Sequence, residues 1–373
     1  MFGVQRARPQ KLEMSMDSRE RVFTALGHGE PDRVPRDFWA TRGAWGVIRS
    51  ASGMSEEEWL DAGDFDFRYI RGPEYIGPPL PADTDIWGVK RRVVSVKTAY
   101  GEESYSEVAG SPLAWVESAE EVEEYGRWPS ADDFDYSVVR AQSREVRGMK
   151  RVVVFMGDRL NRIAQLKPAM YLRGVERIFM DLALNPPVAA AIFGRLRSFY
   201  VAYLARILEA ADGLIDIVLT GDDYGQQNGP LISPAMWDEY LAEGFGAYMD
   251  VIHAYGARSM HHTCGDVRLF AARMGKLGLD ILQSLQPEAM RDWFGELKAK
   301  YGGGMSFHGG VSIQQTLPHG SPADVAAEVR ERVESLASGG GYILCTAHNI
   351  QADCPPENIT ALLDAYRKYG SYA

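Results

Sequence analysis

From residue 151 onward the chain alternates short apolar runs with helix-period segments, and few folds satisfy such a pattern. The runs 151–156, 215–219, 258–262, 280–285, 305–307 and 342–345 predict strands. The segments 186–211, 234–255, 267–277, 290–300, 322–337 and 356–369 predict helices. Short buried strands separated by helices pair in parallel through right-handed crossovers. Two earlier candidates, one ending at Trp39 and one over 65–70, bring the strands to eight. Eight such units in one chain predict an α/β fold, a (β/α)8 TIM barrel. An open doubly wound sheet competes, but no G-x-G-x-x-G follows the first strand. Asp17-Ser18 with Glu20 opens a first helix through Leu26. Residues 86–115 break the alternation and predict an antiparallel ribbon turning at Tyr100-Gly101, an insertion in the barrel. With no linker or repeat in view, residues 17–373 read as a single barrel domain and 1–16 as a flexible extension.

A net charge of -11 argues against nucleic acid and anionic membrane as partners, since both require a basic surface. Three cysteines in 373 residues do not make a disulfide framework, which points to a reducing, cytoplasmic setting. The N-terminal stretch lacks the apolar core of a secretory signal. The most apolar helix is interrupted by Arg195, Arg197 and Arg206, so it reads as a core helix and not a membrane span.

Barrel enzymes carry their chemistry at the C-terminal ends of the strands. Just past the predicted strands stand Trp39 and Arg42, Asp158 and Arg159, Asp222 and Asp223, His262 and Cys264, Gln286, His308, and His348. That concentration of ionisable and ligand-type groups on one rim predicts an enzyme. In an extended segment residues two apart point to one side, so His262 and Cys264 can face a common point. Imidazole and thiolate together suit zinc. Against this, a buried cysteine is usually a small hydrophobe, and a strand-end histidine often only satisfies backbone groups. Of the adjacent carboxylates Asp222 and Asp223, one is expected to point outward as a cap or ion-pair partner. Cys345 and Cys354 read as core residues, and Gly339-Gly340-Gly341, preceding its strand, reads as a tight turn at the far end of the barrel.

These motifs, taken together, resemble the uroporphyrinogen decarboxylase superfamily, which includes zinc-dependent methyltransferases of corrinoid systems. The likeness runs from Ser18-Arg19-Glu20-Arg21-Val22 and Pro31-Asp32-Arg33-Val34-Pro35 to Pro355-Pro356-Glu357-Asn358. Between them lie Asp85-Ile86-Trp87-Gly88, Asp222-Asp223, Ser233-Pro234, His262-Thr263-Cys264-Gly265 and Gly339-Gly340-Gly341-Tyr342-Ile343-Leu344. The decarboxylases carry Met-Arg-Gln-Ala-Gly-Arg near the N-terminus; the corresponding stretch here, Phe38 to Trp45, keeps one arginine, Arg42. The decarboxylase aspartate in a Phe-Ser-Asp-Ile context has no match. The methyltransferases carry His-x-Cys-Gly, present here, and a distal cysteine ten residues before the Asn of Pro-x-Glu-Asn. Counting back from Asn358 lands on His348. A carboxylate ligand of the family aligns near Gln286, and Cys345 is a substitute ligand if the last loop bends differently.

The resemblance therefore implies a zinc-dependent methyltransferase that moves a methyl group between a small substrate, a methyl ether or a thiol, and a corrinoid protein. Zinc would be held by His262, Cys264 and His348, with the cobamide supplied by the partner. Asp222, Asp223 and Arg42 are the expected catalytic residues; Trp39, Asp158, Gln286 and His308 are expected to bind substrate. The resemblance also implies a homodimer. The alternative is a metal-free, uroporphyrinogen decarboxylase-like enzyme acting on a tetrapyrrole or another carboxylic acid.

Overall fold

The computed structural model describes residues 16–157, 163–290 and 293–372. Seven strands form one parallel sheet in chain order: β1 (Phe67–Ile70), β2 (Val152–Phe155), β3 (Ile217–Gly221), β4 (Arg258–His262), β5 (Ile281–Ser284), β6 (Ser306–Val311) and β7 (Tyr342–Thr346). Each pairs in parallel with the next, as right-handed crossovers require. The eighth position belongs to residues 35–41, which form isolated parallel bridges and no regular strand. On one side the Leu344 amide donates to the Pro35 carbonyl and the Asp37 amide to Leu344. On the other, the Asp66 amide donates to the Arg36 carbonyl. Pro35 has no N–H to offer a ladder, a direct reason why this stave stays irregular. The result is the expected α/β TIM-type barrel.

Side-chain parity divides each strand between two cores. Phe67, Val152, Val154, Ile217, Leu219, Met260, Ile281, Ile343 and Cys345 cluster with Val22 and Trp39 in the lumen. Their alternate neighbours, among them Val153, Phe155, Val218, Leu282, Phe307 and Leu344, pack outward under the helices. His262 shares the parity of Met260 and so lies on the lumen side. His261 instead faces the helix layer, stacked on Tyr224 and edge-on to Phe245.

The helices over 186–211, 322–336 and 356–369 match expectation. The segment 234–255 is two helices, Pro234–Tyr240 and Ala242–Ala254, broken at Leu241. Within 267–277 only Ala271–Lys276 is helical. Arg42–Ser52, Ser137–Gly148 and Leu166–Arg173 are further helices that periodicity did not single out. The ribbon is present as Lys90–Lys97 paired antiparallel with Glu102–Gly110. It is stitched to the barrel: Thr98 Oγ1 donates to the Ala352 carbonyl at 2.7 Å, Tyr105 OH to Gln351 Oε1 at 3.0 Å, and the Ala352 amide to Glu103 Oε1 at 2.8 Å. Gly43 permits this approach, because a Cβ there would lie 2.4 Å from the Glu102 carbonyl oxygen. Pro186–Ala211 is long and apolar enough to cross a membrane, but half of its most apolar window is buried in the fold. The N-terminal extension falls, save Met16, outside the described residues.

Before β1, at the end of the barrel opposite the strand C-termini, Asp66 is fully buried between two arginines. Its carboxylate accepts from Arg21 Nη1 at 2.6 Å, Arg33 Nη1 at 2.8 Å and the Arg36 amide at 2.8 Å. Arg21 in turn holds Asp32. This network ties the helix Ser18–Leu26 and the irregular stave to β1. Removing one member of a buried charge network leaves the others uncompensated. Asp66→Ala is expected to lower stability by about 3–5 kcal/mol, read as a fall in the denaturant midpoint; an unchanged midpoint would show the network contributes nothing.

Candidate functional site

Three potential ligands converge where β4 and β7 end. Donor atoms of His262, Cys264 and His348 all lie within 4.8 Å of one another. Cys264 Sγ is 3.3 Å from His262 Nε2, and the rings of His262 and His348 sit 5.1 Å apart, nearly perpendicular. A tetrahedral zinc with bonds of about 2.0–2.3 Å spaces its ligands by roughly 3.3–3.6 Å, so His262 and Cys264 already stand at ligand spacing, with His348 within reach of both. His262 lies at the lumen end of β4; Cys264 follows in a turn whose next residue, Gly265, has φ of +80°. A Cβ at Gly265 would lie 2.3 Å from the backbone of Gly225 and Gln226. Glycine is therefore required for the Cys264 turn to close on the β3 loop.

The second contacts of these groups set their chemistry. Gln283, inward-facing on β5, donates from Nε2 to the Ala347 carbonyl, which leaves Oε1 for His262 Nδ1. His262 must then carry its proton on Nδ1 and present the Nε2 lone pair towards Cys264, the tautomer a metal ligand needs. For His348 the contact runs the other way, since Nδ1 accepts the Asn349 amide at 2.8 Å. A neutral ring accepting at Nδ1 has its proton on Nε2. His348 thus joins a metal only by giving up the Asn349 contact, whether it coordinates through Nδ1 itself or through Nε2 with the proton moved to Nδ1.

Asp223 connects this cluster to the next wall. Oδ1 accepts the Cys264 amide at 3.0 Å and lies 3.7 Å from His262 Nε2; Oδ2 pairs with Lys167 Nζ at 2.5 Å. Burial opposes its ionisation, yet the charge of Lys167 holds it well below the usual carboxylate range, and the Cys264 amide adds to the effect. Lys167 is raised: burial works against its charge, and Asp223 more than restores it. Asp222 is buried, and its carboxylate accepts three backbone amides, Gln165, Leu166 and Lys167, at 2.6–2.8 Å. These open the helix Leu166–Arg173, so Asp222 caps it and sets the position of Lys167. Burial raises the Asp222 carboxyl to about 6 despite those amides.

A cavity of about 490 Å³ opens beside the cluster, with His348 in its wall. The ribbon contributes Glu103, Ser104 and Tyr105, the segment before it Trp87 and Val89, and the irregular stave leads into Thr41 and Arg42. The ribbon therefore shapes a pocket at the barrel mouth.

The other expected site residues fall in three places. Gln286 Oε1 accepts the Gly265 amide at 3.0 Å, bracing the Cys264 turn, while its buried Nε2 has no partner among the described residues. Trp39 and His308 lie deeper, around Asp37: Trp39 Nε1 and His308 Nε2 both donate to Asp37 Oδ2 at 2.9 Å, as does Tyr69 OH at 2.5 Å. Cys345 belongs to this second group, away from Cys264. Burial, then the Asp37 charge, pushes its thiol well above the usual range. Three donors on one oxygen leave Asp37 Oδ2 no lone pair for a metal, so this group is a hydrogen-bonded lumen network. The Trp39 ring lies 6.2 Å from that of His262 and 5.5 Å from that of His308, between the two groups. Asp158 lies outside the described residues.

Sequence reasoning missed Lys167, Gln283 and Asp37. Lys167 had a signal: a lysine in the first turn of a helix opposes the macrodipole and calls for another reason to be there. Gln283 was legible as a polar residue at an inward position of an apolar strand. Asp37 was masked by its setting in the irregular stave.

The uroporphyrinogen decarboxylase (URO-D) family model matches residues 136–369. No curated protein matches the chain by sequence. Among solved structures, a methyltransferase from Methanosarcina mazei is similar at a TM-score of 0.68, with 17% identity over 95% of this chain and 99% of its own. A D-psicose 3-epimerase from Clostridium cellulolyticum H10 reaches a TM-score of 0.40, with 11% identity over 68% of this chain and 88% of its own. At 17% identity the likeness to the methyltransferase is one of fold. The family match extends over well more than half of the barrel-forming sequence, and the chain belongs to the uroporphyrinogen decarboxylase family.

Proposed function

We propose that this protein is a zinc-dependent methyltransferase exchanging a methyl group between a small substrate, a methyl ether or thiol, and a cobamide carried by a corrinoid protein. The observation that carries this reading is the convergence of His262, Cys264 and His348 beside a 490 Å³ cavity. The full-length fold likeness to a methyltransferase supports it. Bound zinc would supply Lewis acidity to an ether oxygen or hold an acceptor thiol as thiolate.

The chain's own residues do the rest. Gln283 fixes the His262 tautomer, and Gln286 with Asp223 holds the Cys264 turn through the amides of Gly265 and Cys264. Asp222 acts through the helix it caps, positioning Lys167. Trp39 and His308 brace the floor beneath His262 through Asp37. Arg42, on the cavity rim, is placed to meet an acidic group of the substrate.

Purified protein is expected to hold about one zinc per chain by elemental analysis, and Cys264→Ala or His262→Ala to lose it. A zinc-free preparation retaining full methyl transfer from substrate to cob(I)alamin would sink the reading. Gln283→Leu removes the acceptor behind His262 together with the donor to the Ala347 carbonyl, and leaves the three donor residues themselves in place. It is expected to weaken zinc binding about 10- to 100-fold with the circular dichroism spectrum unchanged, measured by competition with a chromogenic chelator.

A further inference from the structure

The cavity has an electrostatic character that its aromatic wall does not by itself require. Lys167 lines it with a side chain one-third exposed and, among the described residues, pairs with Asp223. An ammonium group has three N–H donors, so two remain to be directed elsewhere. Arg42, also in the wall, is exposed and has no carboxylate partner among the described residues. The lining carboxylate, Glu103, is already engaged: its Oε1 accepts Thr41 Oγ1 and the Ala352 amide. Asp222, behind the wall, is taken up by three amides. Neutral donors leave Glu103 charged, so the described lining carries two cations, Lys167 and Arg42, against one carboxylate, with Asp223 paired to Lys167 behind them, although the protein as a whole carries -11. Trp87, Tyr105, Tyr171 and Tyr200 complete a wall suited to a flat ring.

We propose that Lys167, held by Asp223, is the site for the anionic oxygen or sulfur that a substrate presents after losing its methyl group, so that the cavity takes O-methyl or S-methyl compounds and rejects methylated ammonium ions. This rests on the methyltransferase reading. When the C–O bond breaks, its electron pair stays on oxygen, and the methyl group passes to a reduced cobamide. That co-reactant gives the electron pair of the new bond and is formally oxidised by two electrons. The oxygen is then an anion until it takes a proton from solvent. A fixed ammonium aimed at that atom stabilises charge that grows only as the bond breaks. A methylated ammonium substrate begins positive and leaves as a neutral amine, so Lys167 would repel the substrate and gain nothing in the transition state. For a thiol acceptor the same cation favours the thiolate.

The test uses the full chain stripped of metal by chelator, with 4-nitrophenol as probe, whose absorbance reports its ionisation. An opposite charge within about 4–6 Å lowers an acid's pKa by about 1–3 units. The bound probe's ratio of phenolate to phenol should therefore rise at least about tenfold over the free probe. Lys167→Arg should keep the effect. Lys167→Met combined with Asp223→Asn removes both charges, leaves no orphan carboxylate, and should abolish it. The proposal is overturned if 4-nitrophenol does not bind, if its ionisation is not raised, or if the double variant leaves the ratio unchanged. Tighter binding of trimethylanilinium than of the phenolate overturns it as well. Because no metal is present, failure here leaves the zinc measurement standing, and failure of zinc binding leaves this result intact.

Discussion

A strand in a closed barrel has two sides, and the assignment of His262 to the inner one governs the rest of this site. Met260 and His262 share a parity, so the apolar packing that holds Met260 in the lumen also carries the imidazole to its mouth. A shift of one residue would exchange His262 with His261, which now packs against Tyr224 and Phe245 in the outer layer. The position of the imidazole is therefore set by hydrophobic burial below it on the same strand. Gln283, at the inward position next to Ile281 on the adjacent strand, is delivered to His262 Nδ1 by the same rule.

From that fixed point the site extends through Asp223. One carboxylate accepts the Cys264 amide with one oxygen and pairs with Lys167 through the other. The ligand turn and the cavity wall are thereby held by a single side chain at the end of β3. The neighbouring Asp222 fixes the same wall from behind, through the first amides of the helix that bears Lys167. Adjacent carboxylates thus do different work because successive residues leave the strand in opposite directions. Asp223 meets the charged side and Asp222 the backbone.

Much of this could be read from the sequence. Period and length gave the barrel, because apolar strands and helix-period segments are local patterns that tertiary packing reinforces. The residues at strand ends followed from the fold. The Trp39 stave was harder: its neighbours pair with it through isolated bridges, and Pro35 denies it a ladder, so no periodic signal exists there. The roles of individual rim residues were not legible at all. Whether a strand-end histidine reaches the mouth, as His262 does, or remains in a lumen network, as His308 does, depends on how far along the strand it sits. His308 lies within β6, three residues before its end, whereas His262 closes β4. Lys167 and Gln283 act only through partners distant in sequence, Asp223 and His262, and no local pattern encodes such a pairing.

The two ends of the barrel also divide the demands on the chain. Around Asp66, arginines and carboxylates are matched and buried, and the groups that could react are spent on one another. At the mouth, matching is incomplete: Gln286 Nε2 is buried without a partner among the described residues, and Leu285, a residue ill-suited to positive φ, is held at +60° just before it. Such a conformation costs of order 1–3 kcal/mol, and it lies where the chain turns from β5 into the bracing of the Cys264 loop. A fold that tolerates strain and an unsatisfied donor at one rim needs surplus stability elsewhere. The buried ion pairs of Asp66 with Arg21 and Arg33 at the opposite end, together with the packed lumen between, are where this architecture can supply it.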